Sequence, residues 1–259
     1  MGLFDKKYCD FCGNKIGLLG NKKLVDGNMC KDCASKLSPW FSERRNSTKE
    51  EITAQLSYRE ENKKAVAAFH TTRSLGKYTK LLLDENQKKF VVTSAGNLES
   101  ANPDVLHCSQ ITGCDLDIDE SRHELKQTDK DGKSVSYNPP RYEYSYNFHV
   151  SIHVDHPFFD EIRYSLSNGY VKTGEQSMLG TPGGWRVNRP GIQLKQNSYY
   201  EYLNLGNEIK DLVLQLRQEA RETAAAQNAP KTAVSCPYCG ASTIPDANGC
   251  CEYCGSALQ

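Results

Sequence analysis

The chain has 259 residues, with 32 basic and 32 acidic side chains, 38% hydrophobic residues and 11 cysteines. That length allows one mid-sized domain with small modules, and the balanced charge excludes a global field that would draw the chain to nucleic acid or anionic lipid. Apolar runs such as Leu81 to Leu83 fall far short of the roughly 20 residues that span a bilayer, so no transmembrane segment is expected.

The opening "MGLFDKKY" lacks an apolar secretory core, and Lys6 stands where N-myristoylation wants Ser or Thr. A cytoplasmic location is therefore expected. In a reducing compartment cysteines point to metal rather than disulfides, and eight of them form four C-x-x-C pairs, two near each end.

Residues 1–46 read as a first zinc module, built on Cys9, Cys12, Cys30 and Cys33 with seventeen residues between the pairs. Zn²⁺ favours four tetrahedral soft ligands, and a C-x-x-C turn delivers two thiolates to one centre. Gly13 follows the first pair, where the turn calls for positive φ. "ASKLSPWF" after Cys33 can start a short helix, as in a treble-clef or LIM-like finger. Bases outnumber acids nine to five in this segment. Lys15, Lys22, Lys23 and Lys31 either offset the charge of a bound tetrathiolate or form a phosphate-binding patch.

Residues 47–74 read as a connecting helix and its exit. Ser47 or Thr48 can cap it, with Glu50 or Glu51 completing a capping box. Ile52, Leu56, Val66 and Phe69 give an apolar stripe with a polar middle.

Residues 75–226 read as an antiparallel β domain ending in a helix. "KYTKLLLDENQKKFVVTS" is strand, turn, strand. In "DVLHCSQITGCDLDIDES", Leu116 and Ile118 alternate with Asp115, Asp117 and Asp119, which places the acids on the solvent face of a half-buried strand. His149, His153 and His156 stand too far apart along a strand for one ion. Cys108 and Cys114 read as buried apolar cysteines. "TDKDGKSVSYNPP" reads as a turn region and "TGEQSMLGTPGGWRVNRPG" as a long Gly/Pro loop. Within it Trp185, Arg186 and Arg189 form either an exposed binding tip or a plain loop. From 199 to 226, Leu205, Ile209, Leu212, Val213, Leu216 and Ala220 make one face of an amphipathic helix. Strands followed by a single helix suggest a curved antiparallel sheet that the helix covers.

Residues 227–234 read as a linker, and residues 235–259 as a second zinc module on Cys236, Cys239, Cys251 and Cys254. Cys250 is an adjacent alternative to Cys251. Gly240 and Gly255 follow the two pairs as Gly13 does. Two structural Zn²⁺ ions are thus expected, each with a full shell that leaves no position for a hydrolytic water.

The pattern Cys9, Cys12, Gly13, Asp26, Gly27, Cys30 and Cys33, with "KIGLLG" and "KLSP", resembles an uncharacterised bacterial family common in Firmicutes, a four-cysteine domain of unknown function. The resemblance covers about the first 80 residues and implies zinc binding without an established activity. The strand series closed by "YYEYLNLGNEIKDLVLQL" is similar to the bacterial pleckstrin-homology-like fold, which implies two orthogonal sheets capped by a helix. The polar stretches 121–146 and 172–198 depart from it. The end of the chain resembles a generic bacterial zinc ribbon.

The fold class expected is α+β. The function expected is a non-catalytic zinc-binding adaptor that meets protein partners through its zinc modules and a pleckstrin-homology-like platform. Nucleic-acid binding through Lys15, Lys22, Lys23, Arg44 and Arg45, and membrane-surface binding by the sheet domain, are the alternatives. No serine-hydrolase elbow, kinase set or dinucleotide fingerprint points to an enzyme.

Overall fold

A computed structural model describes residues 7–177, 190–228, 233–246 and 249–258. The chain is a mixed helix and sheet protein and divides into two compact units, Met1–Gln218 and Glu219–Gln259.

The first unit opens with two small ribbons. β1 (Lys7–Tyr8) pairs with β2 (Lys15–Ile16), and β3 (Lys22–Lys23) pairs with β4 (Asn28–Met29), both antiparallel. A short α1 (Lys31–Ala34) follows and is capped by the Cys30 sulfur. It begins inside the second cysteine pair and ends at Ala34, just after it. Ile16, Leu24, Met29 and Leu37 pack with Cys9, Cys30 and Cys33, and Ile52 closes this core from the next helix.

α2 (Lys49–Ala67) starts at the Thr48 and Glu51 capping box. Its buried positions are Ile52, Gln55, Arg59, Asn62 and Val66, at steps of three and four. The polar middle therefore faces inward, not to solvent. Its one buried charge, Arg59, is partnered, whereas the buried Gln55 amide has no hydrogen-bond partner among the described residues. Arg59 Nη1 donates to Asp104 at 2.7 Å, and Arg59 Nε donates to the Lys36 carbonyl at 3.1 Å. Asp104 also accepts from Ser38 Oγ at 2.8 Å and Tyr58 OH at 3.0 Å. Asn62 donates to the Pro103 carbonyl at 2.7 Å and accepts from the Val105 N–H at 3.0 Å. Ser38 and Lys36 belong to the finger and residues 102–105 to the sheet region, so α2 joins the two through one buried polar knot.

Next come β5 (Arg73–Leu75), β6 (Lys80–Asp84), β7 (Lys89–Thr93), the short α3 (Leu98–Ala101) and β8 (Leu106–His107). The four strands form an antiparallel sheet in chain order. Phe69 after α2 packs with Leu82 and Val91 on it.

The second sheet is built on two long strands, β9 (Ile111–Thr128) and β10 (Ser134–Val154). On its other side β10 pairs with β11 (Glu161–Ser165) near its end and β12 (Val171–Ser177) nearer its start. Only residues 129–133 turn between β9 and β10, so most of the expected turn "TDKDGKSVSYNPP" is strand. Its two prolines, which cannot donate to a ladder, sit where the register shifts between Ser136 and Arg141. The expected run "DEIRYSLSNGYV" is broken by a turn at Gly169, whose φ is +85°. The expected loop "TGEQSMLGTPGGWRVNRPG" begins inside β12 and ends inside the last helix, α4 (Pro190–Asn228).

α4 starts at Pro190, which is preset for a first helical turn. Ile209, Leu212, Val213 and Leu216 are buried and Leu205 is half-buried. Tyr199 and Tyr202 meet Phe148 of β10 with ring centroids 5.2 and 5.9 Å apart. Gly206 lies against Leu116 of β9, where an added Cβ would come within 2.5 Å of Leu116 Cδ1. Glu208 and Glu201 pair with Arg73 and Lys77 beside the first sheet, and Lys210 pairs with Asp115 of the second.

The acidic row on β9 is answered across the sheet. His153 meets Asp115 at 3.1 Å, Arg163 pairs with Asp117, and His149 lies 3.4 Å from Asp119. His156 stacks on Phe159 at 4.2 Å and meets Tyr58 of α2 at 4.9 Å. Cys108 and Cys114 are buried.

The second unit holds the two-stranded ribbon of β13 (Val234–Ser235) and β14 (Ser242–Thr243), and a bridge between Cys250 and Ala257. No helix among the described residues is long and apolar enough to cross a membrane.

Candidate metal centres

In the first finger the chain turns back at Cys9. The Gly13 N–H donates to the Cys9 carbonyl at 2.9 Å, and Gly13 takes a φ of +70° that other residues rarely adopt. This turn aims the Cys9 and Cys12 sulfurs inward. The second pair comes from the β4 to α1 junction, where the Cys33 N–H points at the Cys30 sulfur at 3.4 Å. The Cys30 N–H in turn points at the Cys9 sulfur at 3.3 Å.

The second cluster uses the same turn twice. The Gly240 N–H donates to the Cys236 carbonyl and the Gly255 N–H to the Cys251 carbonyl, both at 2.8 Å. Gly240 and Gly255 have φ of +71° and +70°. Cys250 stands outside the cluster, half-buried on its bridge to Ala257, with its N–H on Asp246 Oδ1 at 2.8 Å.

Within each quartet, Cys9, Cys12, Cys30 and Cys33 or Cys236, Cys239, Cys251 and Cys254, all four sulfurs lie within 4.8 Å of one another. Cys12 and Cys30 are 3.7 Å apart, Cys236 and Cys254 3.6 Å, and Cys239 and Cys251 3.7 Å. A tetrahedron with metal–sulfur bonds of about 2.3 Å puts its corners about 3.8 Å apart, whereas a disulfide needs about 2.05 Å. Both quartets can hold one metal ion.

The thiols are not alike. Burial pushes the Cys9 thiol up, but the N–H groups of Cys30, Phe11 and Cys12 outweigh it and bring it to about 6. Burial and the three neighbouring sulfurs push Cys33 well up. In the second cluster the hydroxyl and N–H of Ser256 bring Cys254 down to about 6. The Ala241 N–H favours the Cys239 thiolate, yet burial and its sulfur neighbours drive it to about 12. Each quartet thus resists its own full ionisation, a repulsion that a bound divalent cation would relieve.

Lys22 is half-buried and Lys23 exposed, on β3. Lys22, Lys31 and Arg44 border a groove of about 470 Å³ with serines 35, 38 and 42 and an apolar floor that includes Phe41. Arg44 is steadied by donating to the Lys23 carbonyl at 2.8 Å. Trp185, Arg186 and Arg189 lie outside the described residues. The knot around Arg59 and Asp104 escaped the sequence reading, although Gln55, Arg59 and Asn62 continue the helical spacing of Ile52 and Val66.

Residues 7–55 match the model of a family described as a domain of unknown function, DUF4428. No curated protein and no solved structure matches the chain.

Proposed function

We propose that the protein is a non-catalytic adaptor stapled by two structural Zn²⁺ ions, which binds a protein partner. The observation that carries this reading is the closure of both quartets. Four sulfurs at tetrahedral spacing fill the zinc shell and leave no site for substrate or water. In this reading residues 7–46 are a treble-clef finger and residues 235–258 a zinc ribbon. The two sheets with α4 are a pleckstrin-homology-like platform.

The groove between Lys22, Lys31 and Arg44 offers cations and hydroxyls around an apolar floor, which suits an acidic segment of a partner. The test is affinity purification of the full chain beside a variant carrying Lys22→Glu and Lys31→Glu. A partner lost from the variant, with metal content and melting unchanged, supports the reading. An unchanged partner set refutes the groove. A gel shift that weakens steeply with salt would put nucleic acid in the partner's place.

A further inference from the structure

The stretch between β2 and β3 is a tight turn, Gly17 to Gly20, closed by the Gly20 N–H on the Gly17 carbonyl at 3.0 Å. Leu18 and Leu19 occupy its two central positions and are 88% and 89% exposed. Such positions ordinarily take Asn, Asp, Gly or Pro, whose backbone or side chain suits the turn. Leucine supplies neither feature, and here it packs on nothing. The finger's core is complete without them, since Ile16 and Leu24 fill it from the flanking residues. A local rule broken without a structural return points to contact with something outside the chain.

The surroundings say what kind of contact. Residues 13–25 contain three lysines, Lys15, Lys22 and Lys23, and no acid. Lys15 and Lys23 are exposed on the strands leading into and out of the turn. An apolar tip in a cationic collar matches the two layers of an anionic bilayer surface: phosphates outside and acyl chains just below. The tip is convex and small, and a soft interface can close around a protrusion without a preformed groove.

We infer that the Leu18–Leu19 turn docks the finger on anionic membrane surfaces, with the leucines in the acyl boundary and Lys15 and Lys23 on the headgroups. The contact uses residues outside the Lys22, Lys31 and Arg44 groove except for the shared neighbourhood of β3, so it stands or falls independently of the protein-partner reading.

The test is flotation of the full, zinc-loaded chain with vesicles of phosphatidylcholine alone or mixed with phosphatidylserine. The chain should float with the mixed vesicles, weakly with neutral ones, and less as salt rises. Leu18→Ser with Leu19→Ser should cut binding about tenfold or more while metal content is unchanged. Lys15→Gln and Lys23→Gln should each cost about fivefold, which keeps the test informative even if the leucine variant folds poorly. Equal flotation of the double-serine chain would overturn the inference. So would no flotation of the original chain with anionic vesicles, which would leave a protein surface as the receptor of the tip.

Discussion

At the scale of single residues, burial of charge sets the sharpest expectations. Arg59 and Asp104 have side chains 7% and 0% exposed. Arg59→Ala would strand Asp104 without its cation, and breaking a buried pair this way costs about 3–5 kcal/mol. Arg59→Met combined with Asp104→Asn should cost clearly less, because no bare charge remains. Urea unfolding of the three chains checks the order. His156 gives a pH dependence. Burial holds its pKa below the ordinary 6.5, partly opposed by the nearby Asp104 carboxylate. The unfolded chain therefore takes up the proton first as pH falls. The stability that neutral His156 contributes is present above pH 6.5 and erodes below it, down to the folded pKa. His156→Phe, which keeps the stack on Phe159, should flatten this part of the acid limb in melts taken across pH. The two cysteine quartets were readable one by one because metal-binding chemistry admits few residue types and the spacing is rigid. Arg59 was not, because a charged residue mid-helix ordinarily signals solvent, and its partner lies forty-odd positions away in sequence, at Asp104.

At the scale of elements, the contact of α4 with β9 turns on one glycine. A helical Gly→Ala change ordinarily gains up to about 1 kcal/mol. At Gly206 the new methyl would meet Leu116 carbons at 2.5 and 2.8 Å. Gly206→Ala should therefore lose about 1–3 kcal/mol through overpacking. The loss should shrink in a Leu116→Ala background, and a double-mutant cycle in urea measures that coupling. The face of α4 was legible because apolar residues repeat at helical spacing from Leu205 to Leu216. The long β9–β10 hairpin was not. Polar alternation beyond Asp119 and the Asn138–Pro139–Pro140 sequence imitate a loop, while the strands hold together through register on both sides of a bulge. α2 shows the same limit, since its spacing was visible but its polar middle hid which side faced in.

At the scale of the whole molecule, the two quartets sit in separate compact units, so their losses should separate as well. Elemental analysis of the full chain should find two zinc ions. Cys251→Ser with Cys254→Ser should leave one, with the melting of the sheet domain unchanged. A matched loss at Cys30 and Cys33 should cost stability in the first unit, because those sulfurs share a core with Ile52 of α2. Chelation should give two steps, and acid should weaken both sites, since protons compete for the sulfurs.

The position of Ile52 and Arg59 on one helix has a consequence for inheritance. The family match stops at residue 55, inside α2. It takes in Ile52, which seals the finger's core, and stops short of Arg59, which fastens the finger to Asp104. The matched segment thus carries its four cysteines and most of the core around them, and Ser38 within it meets Arg59 beyond it at Asp104. A lineage could carry the same segment onto a different scaffold by rewriting α2 beyond residue 55, and leave its cysteine quartet and its leucine tip untouched.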